Sequence, residues 1–320
     1  FLFCQVMQTH SYFLVLFCLV NVILAQPSTR LRVTNGCSQT MWIFSEVGSG
    51  GGTLTDSPQI QLSPNAYHDY NIPDAGLAGT RFWPGLGCDG SGNNCQIGQS
   101  GGPPPFTCPA NIGCAPPVDS KFEGTFGCLY SDASQCQNNP SGSGPLSTND
   151  YWDTSMVDGY TLPYKVQVYG SCPSGPQNNL IDCSKLTLDL CPTSIDLSTN
   201  GEFPSLDNET LVLYYPNTNT QVGCYSPCSK LSIGNWQSIP SPPFNGTTYT
   251  PDSPQAEYYC CPTPPISVDQ CRDGPGGNNP YVNLIHGYCP QTYSYAYDDV
   301  TGNWNCPAGT QYEVTFYCPS

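Results

Sequence analysis

Asp150-Tyr151-Trp152-Asp153-Thr154-Ser155-Met156-Val157-Asp158-Gly159-Tyr160-Thr161-Leu162-Pro163 is the stretch on which the fold turns. It reads as strand, turn and strand, with Asp158-Gly159 as the turn pair and Pro163 closing the second apolar run. Asp153 and Asp158 stand five positions apart. That spacing is odd, so an unbroken strand points them to opposite faces, and a bend or bulge must intervene if both serve one site. Each also has an ordinary structural use, Asp153 as a turn cap and Asp158 as a residue before a turn glycine.

The rest of the chain supports short strands. Charged residues make up 10% of it, with 32 Gly and 33 Pro, a composition that favours strands joined by turns over long amphipathic helices. Apolar alternation is visible at Val166 and Val168, at Leu211 and Leu213, and at Tyr312, Val314 and Phe316. Residues 179–192 form the one segment in which a short helix is expected. A length of 320 residues allows one elaborated sandwich or two subdomains. The net charge of −16 rests on only 8 Lys plus Arg, without a cluster, so nucleic acid and anionic membrane surfaces are poor partners. The 24 carboxylates are spread along the chain, as a solvated acidic surface requires.

After Met7, an apolar stretch from Tyr12 to Leu24 ends at Ala25. This pattern predicts a signal peptide over residues 1–25, cleaved near Ala25–Gln26, and a secreted, extracellular protein. Residues 1–6 precede the first methionine and are expected to lie before the true start. The stretch is short of the ~20 apolar residues a membrane span needs, so no direct membrane insertion is expected. Setting aside Cys4 and Cys18 leaves 18 of the 20 cysteines, an even number that predicts nine disulfides in an oxidising compartment. Their wide spacing and the presence of only His68 and His286 beyond the leader argue against a metal site, and no cofactor is expected. No Ser-His or Cys-His nucleophile pairing is apparent. Asn208-Glu209-Thr210 and Asn245-Gly246-Thr247 are glycosylation sequons.

Five stretches in order carry a family resemblance: Val33-Thr34-Asn35-Gly36-Cys37 followed by Trp42; Thr80-Arg81-Phe82-Trp83 leading to Cys88; the Asp150–Pro163 run; Cys289-Pro290 with Tyr293-Ser294-Tyr295-Ala296-Tyr297-Asp298-Asp299; and Tyr312 to Pro319. Together they resemble the thaumatin-like family, the pathogenesis-related group 5 or osmotin-like proteins, from about residue 31 to the C-terminus. The resemblance implies a mainly β fold: a flattened β-sandwich core (about 31–90, 123–178 and 290–320), a small looped subdomain (about 91–122) and a disulfide-rich excursion (about 179–289), all within one domain over 26–320. It implies the pairs Cys37 with Cys318, Cys88 with Cys95, Cys172 with Cys306, Cys183 with Cys289, Cys191 with Cys224, Cys228 with Cys260, and Cys261 with Cys271. Where the family has an Asp-Cys after the equivalent of Cys95, this chain has Gln99-Ser100. Cys108 is therefore expected to pair with Cys114, which leaves Cys128 and Cys136 to close an insertion over about 127–149. That insertion is either a tolerated loop extension or a lip on the site.

Resembling proteins carry one Arg, one Glu and three Asp around a central cleft. Motif matches place these at Arg81, Glu123, Asp153, Asp158 and Asp299, with Asp298 as the adjacent alternative to the last. Glu123 follows Pro116-Pro117 with one residue more than the usual spacing, and a one-residue slip would turn it to the other face of its strand. Crowded carboxylates raise the pKa of at least one of them, while a nearby Arg keeps others ionised. An acid and a base can then coexist, the pair that glycoside hydrolysis requires. Glu123 is expected as the acid and Asp153 as its partner. Trp83, Tyr151, Trp152, Tyr160, Tyr295 and Tyr297 flank these motifs, some as sugar-stacking faces and at least half as packing residues. The function implied is that of a monomeric defence or cell-wall-associated protein binding β-1,3-glucan or a related wall polysaccharide, with weak endo-glucanase activity possible. The competing classes are a membrane-perturbing antifungal protein and an enzyme inhibitor or structural extracellular protein.

Overall fold

The computed structural model describes residues 3–7, 15–19, 26–101, 108–109, 112–233, 236 and 248–319. Within the predicted leader, β1 (Phe3–Met7) and β2 (Val15–Leu19) pair antiparallel. Beyond it, alternating sequence becomes strand in two larger sheets. One runs in the order β12 (Leu180–Asp182), β11 (Tyr164–Tyr169), β16 (Gln311–Phe316), β3 (Leu31–Asn35) and β6 (Tyr67–Tyr70). The other runs β15 (Trp304–Pro307), β9 (Asn149–Ser155), β8 (Lys121–Phe126), β7 (Leu77–Gly85), β4 (Met41–Val47) and β5 (Gln59–Leu62). Strand β8 thus starts at Lys121, two residues before the boundary expected at 123. All pairings in both sheets are antiparallel except β16 with β3.

The two sheets close on a shared core. Tyr164, Val166 and Val168 of β11 are buried while Lys165, Gln167 and Tyr169 between them are not, the signature of one face in and one face out. Val314 and Phe316 come from the same sheet, and Phe82, Phe122, Phe126 and Trp152 from the opposite one. Aromatic rings bridge the layers, with Trp152 and Tyr312 at 5.1 Å between centroids and Phe122 and Tyr312 at 5.9 Å. Such pairs add stabilisation beyond their buried area, which suits a core built from aromatics. A buried ion pair crosses this core: Arg30 Nη2 lies 2.5 Å from Asp150 Oδ1. Asp150 also accepts from the backbone N–H of Gly127 at 2.7 Å and from Tyr312 Oη at 3.0 Å.

Nine disulfides fasten the fold: Cys37–Cys318, Cys88–Cys95, Cys108–Cys114, Cys128–Cys136, Cys172–Cys306, Cys183–Cys289, Cys191–Cys224, Cys228–Cys260 and Cys261–Cys271. The first lies just beyond the parallel β3–β16 pair and joins residues 281 apart.

A third sheet, β10 (Gly159–Tyr160), β14 (Gln221–Tyr225) and β13 (Val212–Tyr214), lies beside helices α1 (Pro227–Ile233), α2 (Glu257–Cys260), α3 (Val268–Asp273) and α4 (Pro280–Tyr288). One expectation is met in part and one is corrected here. The short helix expected in 179–192 is confined to a 3-10 helix at Leu188–Leu190, because the start of the segment, entered through left-handed Asn178 and Asn179, forms β12 and pairs with β11. Leu211, Val212 and Leu213 are all buried, so this run does not alternate, being covered on both sides. Helices α1, α2 and α3 run to only four to seven residues, but α4 carries an apolar stripe, burying Tyr281, Val282 and Ile285. Their caps are nonetheless written in the chain: Ser267 and Gln270 make a reciprocal capping box for α3, and Asn279 caps α4 ahead of Pro280.

The 127–149 insertion folds as a stapled loop with an internal bond from Cys128 to Ser147 and bonds outward to Gly50, Asp74, Ala75, Asp150 and Ala308. Asp74 and Ala75 lie just ahead of β7, whose Leu77 pairs with Phe126 at the far end of β8 from Lys121.

Candidate functional site

Strand register builds the site. Glu46 of β4 stands opposite Arg81 of β7, Arg81 opposite Glu123 of β8, and Glu123 opposite Asp153 of β9. One row of charges therefore crosses four strands. Its neighbours Phe82, Phe122 and Trp152 point into the core, so the row must occupy the outer face. The extra residue before Glu123 leaves it on the same face as Arg81 and Asp153, because Phe122 takes the inward position. Side chains directly opposite have Cβ atoms about 4.5–5.5 Å apart, close enough for their charges to interact. Arg81 Nε lies 3.6 Å from Glu46 Oε2.

Lys121, two positions before Glu123, shares this face and puts Nζ 2.6 Å from Asp158 Oδ2. Asp158 reaches it from the bend after β9, which Gly159 completes with φ of 142°. A Cβ there would come within 2.2 Å of the Cys224 carbonyl oxygen, so glycine is required. This is the break in the strand that the odd Asp153–Asp158 spacing demands.

Asp299 opens α5 (Asp299–Gly302), accepts a 2.6 Å hydrogen bond from Tyr293 Oη and lies 3.2 Å from Arg272 Nη2. Tyr293 runs alongside the end of β9, bonded to Thr154 and Met156 through its backbone. Its phenol is held well above its ordinary pKa by burial, then by the hydrogen bond to Asp299 and by the charges of Asp299, Asp153 and Asp298. Asp298 turns inward instead and accepts from His286 Nε2 at 2.7 Å, from Ser294 and from Thr301. Burial alone would raise its pKa, but these hydrogen bonds hold the carboxyl below the ordinary range.

The charges of the cleft are unevenly balanced. Burial and then the Glu123 charge push Asp153 well above the ordinary carboxylate range, against a smaller opposing pull from Lys121. Lys121 is depressed by burial but raised overall by Asp158, Glu123 and Asp119. Asp119, buried beside it, is pushed up to about 6 by burial. Glu46, Asp119 and Lys121 are the site residues that sequence reasoning missed. Lys121 was open to detection from its even spacing to Glu123, whereas Glu46 and Asp119 are brought in by register and loop packing alone.

Of the six flanking aromatics, Trp83, Trp152 and Tyr160 are buried packing residues, while Tyr151 is 45% exposed on the same face of β9 as Asp153. Asn208 is exposed in a left-handed turn, whereas Asn245 lies outside the described residues. Among the described residues, no group of three or more His, Cys, Asp or Glu is arranged to hold a metal ion. No helix among them is long and apolar enough to cross a membrane.

This architecture has relatives. A glucan endo-1,3-beta-glucosidase of Prunus avium is 27% identical over 302 residues, covering 89% of this chain and 88% of its own. A thaumatin-like protein 1 of Pyrus pyrifolia is 28% identical, covering 91% of each chain. A pathogenesis-related protein 5 of Arabidopsis thaliana is 28% identical, covering 92% of each. The family model described as the thaumatin family matches residues 35–238 and 244–319. With most of its length matched, this chain belongs to the thaumatin family.

Proposed function

We propose that the protein is a secreted defence protein of the cell wall that binds β-1,3-glucan along the outer face of β7, β8 and β9. The observation that carries this reading is the in-register row Glu46–Arg81–Glu123–Asp153. It presents hydrogen-bond donors and acceptors side by side on a rigid sheet, the arrangement that fixes sugar hydroxyls with little ordering cost. Tyr151 offers a ring face to a pyranose beside them. The similarity to a protein named as a glucan endo-1,3-beta-glucosidase agrees with this substrate class. The predicted leader and the nine disulfides agree with an extracellular location.

Binding is the principal activity in this reading, and turnover is a secondary one. For hydrolysis, we infer roles opposite to those expected from sequence. Asp153 is the carboxyl driven toward its protonated form, in part by the Glu123 charge, so Asp153 serves as the acid and Glu123 as the carboxylate partner. Pull-down and reducing-sugar release on insoluble β-1,3-glucan test both steps, comparing the oxidised protein with Glu123→Gln and Asp153→Asn. Binding that weakens in both variants supports the cleft. Release that disappears while binding persists makes the protein a glucanase, and wild-type protein that neither binds nor releases sugar rules the reading out.

A further inference from the structure

Next to the Glu46–Arg81 pair the cleft deepens into a hollow of about 170 Å³, lined by Glu46, Arg81, Trp83, Ser100, Asp119 and Lys121 among others. Asp119 is 5% exposed. Its Oδ2 accepts from Ser100 Oγ, while its Oδ1 is buried without a hydrogen-bond partner. Lys121, 8% exposed, directs Nζ to Asp158 and not to Asp119. A buried carboxylate oxygen left unpaired is costly, and few native structures retain one without a use for it. The hollow exceeds by several-fold the ~30 Å³ that one water occupies in the liquid, enough for the hydroxyl-bearing edge of a sugar ring.

We propose that Asp119 forms an additional sugar subsite at the Arg81 end of the cleft, its carboxyl, which lines the hollow and has one oxygen without a hydrogen-bond partner, bonding one hydroxyl of a further glucan unit. The subsite rests on the glucan reading above and sets how long a chain the protein grips. Charged groups face Asp119 from three sides: Lys121 from β8, Asp158 from the bend after β9, and Arg81 with Glu46 across the hollow. Burial lifts its carboxyl to about 6. Between pH 5 and 7 the Asp119 carboxyl accordingly passes from its protonated to its ionised form, and its bond to the hydroxyl changes with it.

Calorimetry on the full chain with soluble β-1,3-gluco-oligosaccharides from two to about eight units decides the matter. Affinity of the wild type is expected to rise with length until a unit enters the hollow. Asp119→Leu should lose that last increment, about 10- to 100-fold, the range spanned by a hydrogen bond to a charged group, while shorter oligomers bind both proteins equally. Asp119→Asn keeps the shape and should remove the dependence of the increment on pH between 5 and 7. Identical length profiles in wild type and Asp119→Leu would overturn the subsite and leave the glucan reading standing. A pH dependence that survives in Asp119→Asn would do the same even if the leucine variant does not fold. Failure of the wild type to bind any oligomer would overturn both.

Discussion

Asp150 and Asp153 lie three residues apart on β9, and their fates are opposite. Asp150 points inward, where burial raises its carboxyl but Arg30, the Gly127 N–H and the Tyr312 hydroxyl each offset part of that cost. Asp153 points outward into a crowded cleft, where its nearest strongly felt neighbour is another carboxylate, Glu123. Burial raises both carboxyls, so it does not by itself separate the structural Asp from the site Asp. The supply of partners does: Arg30, an N–H and a phenol meet Asp150, whereas on the outer face Glu46 and Asp158 take Arg81 and Lys121 and the charge most strongly felt by Asp153 is that of Glu123.

Opening the inner face should have the largest effect. Replacing Cys37 and Cys318 together with Ser frees a closure of 281 residues, for which the chain-entropy model assigns about 5–6 kcal/mol as an upper figure. Denaturant titration of the oxidised variant measures it. Asp150→Ala comes next, since it strands a buried Arg30 and should cost about 3–5 kcal/mol with little change in glucan affinity per folded molecule. A binding loss in folded Asp150→Ala as large as that in Asp153→Asn would break the division between the faces.

Asp153→Asn should behave in the reverse manner, weakening binding about 10-fold or more while making the protein more stable at pH 7. The sign follows from linkage. A carboxyl raised in the folded state holds its proton longer there than in the unfolded chain, so stability is greatest below the ordinary value of 3.8 and is lost as pH rises through the folded pKa. Asparagine removes that loss, about 1.4 kcal/mol for every tenfold by which folding tightens the carboxyl's hold on its proton. Melting curves of both proteins from pH 4 to 8 should diverge upward with pH, and parallel curves would refute the assignment. The smallest stability effect is expected for Arg81→Met. Its 3.6 Å contact with Glu46 is half exposed and is worth at most about 1 kcal/mol, so any change seen should be in glucan retention.

Much of the fold was legible because it depends on local chemistry. The strand, turn and strand at Asp150–Pro163 required a bend before Gly159, and the φ of 142° at that glycine supplies it. Tyr312, Val314 and Phe316 alternate in sequence and are buried in the structure. Helices α1 to α3 escaped detection because four to seven residues complete too few turns for an apolar stripe, whereas α4 shows one in Tyr281, Val282 and Ile285 behind its Asn279 cap and Pro280, a signal that was open to reading. In the site, Arg81, Glu123 and Asp153 were found through motifs, but Glu46 was not. No local pattern links Glu46 to Arg81, 35 positions later in the chain, and only the pairing of β4 with β7 sets them side by side.

The sequence by itself determined that strands and turns would dominate, that the 18 cysteines after residue 25 could pair completely, and which face of the strands holding Val166 and Val168 and Tyr312, Val314 and Phe316 would be apolar. These properties follow from residue type, parity and a period of two. Tertiary structure alone decided which carboxylate met a cation and which met another carboxylate. Electrostatic environment is set by neighbours across strands and through the low-dielectric interior, and for Asp119, Asp150 and Asp153 those neighbours are brought together only when the sheets close.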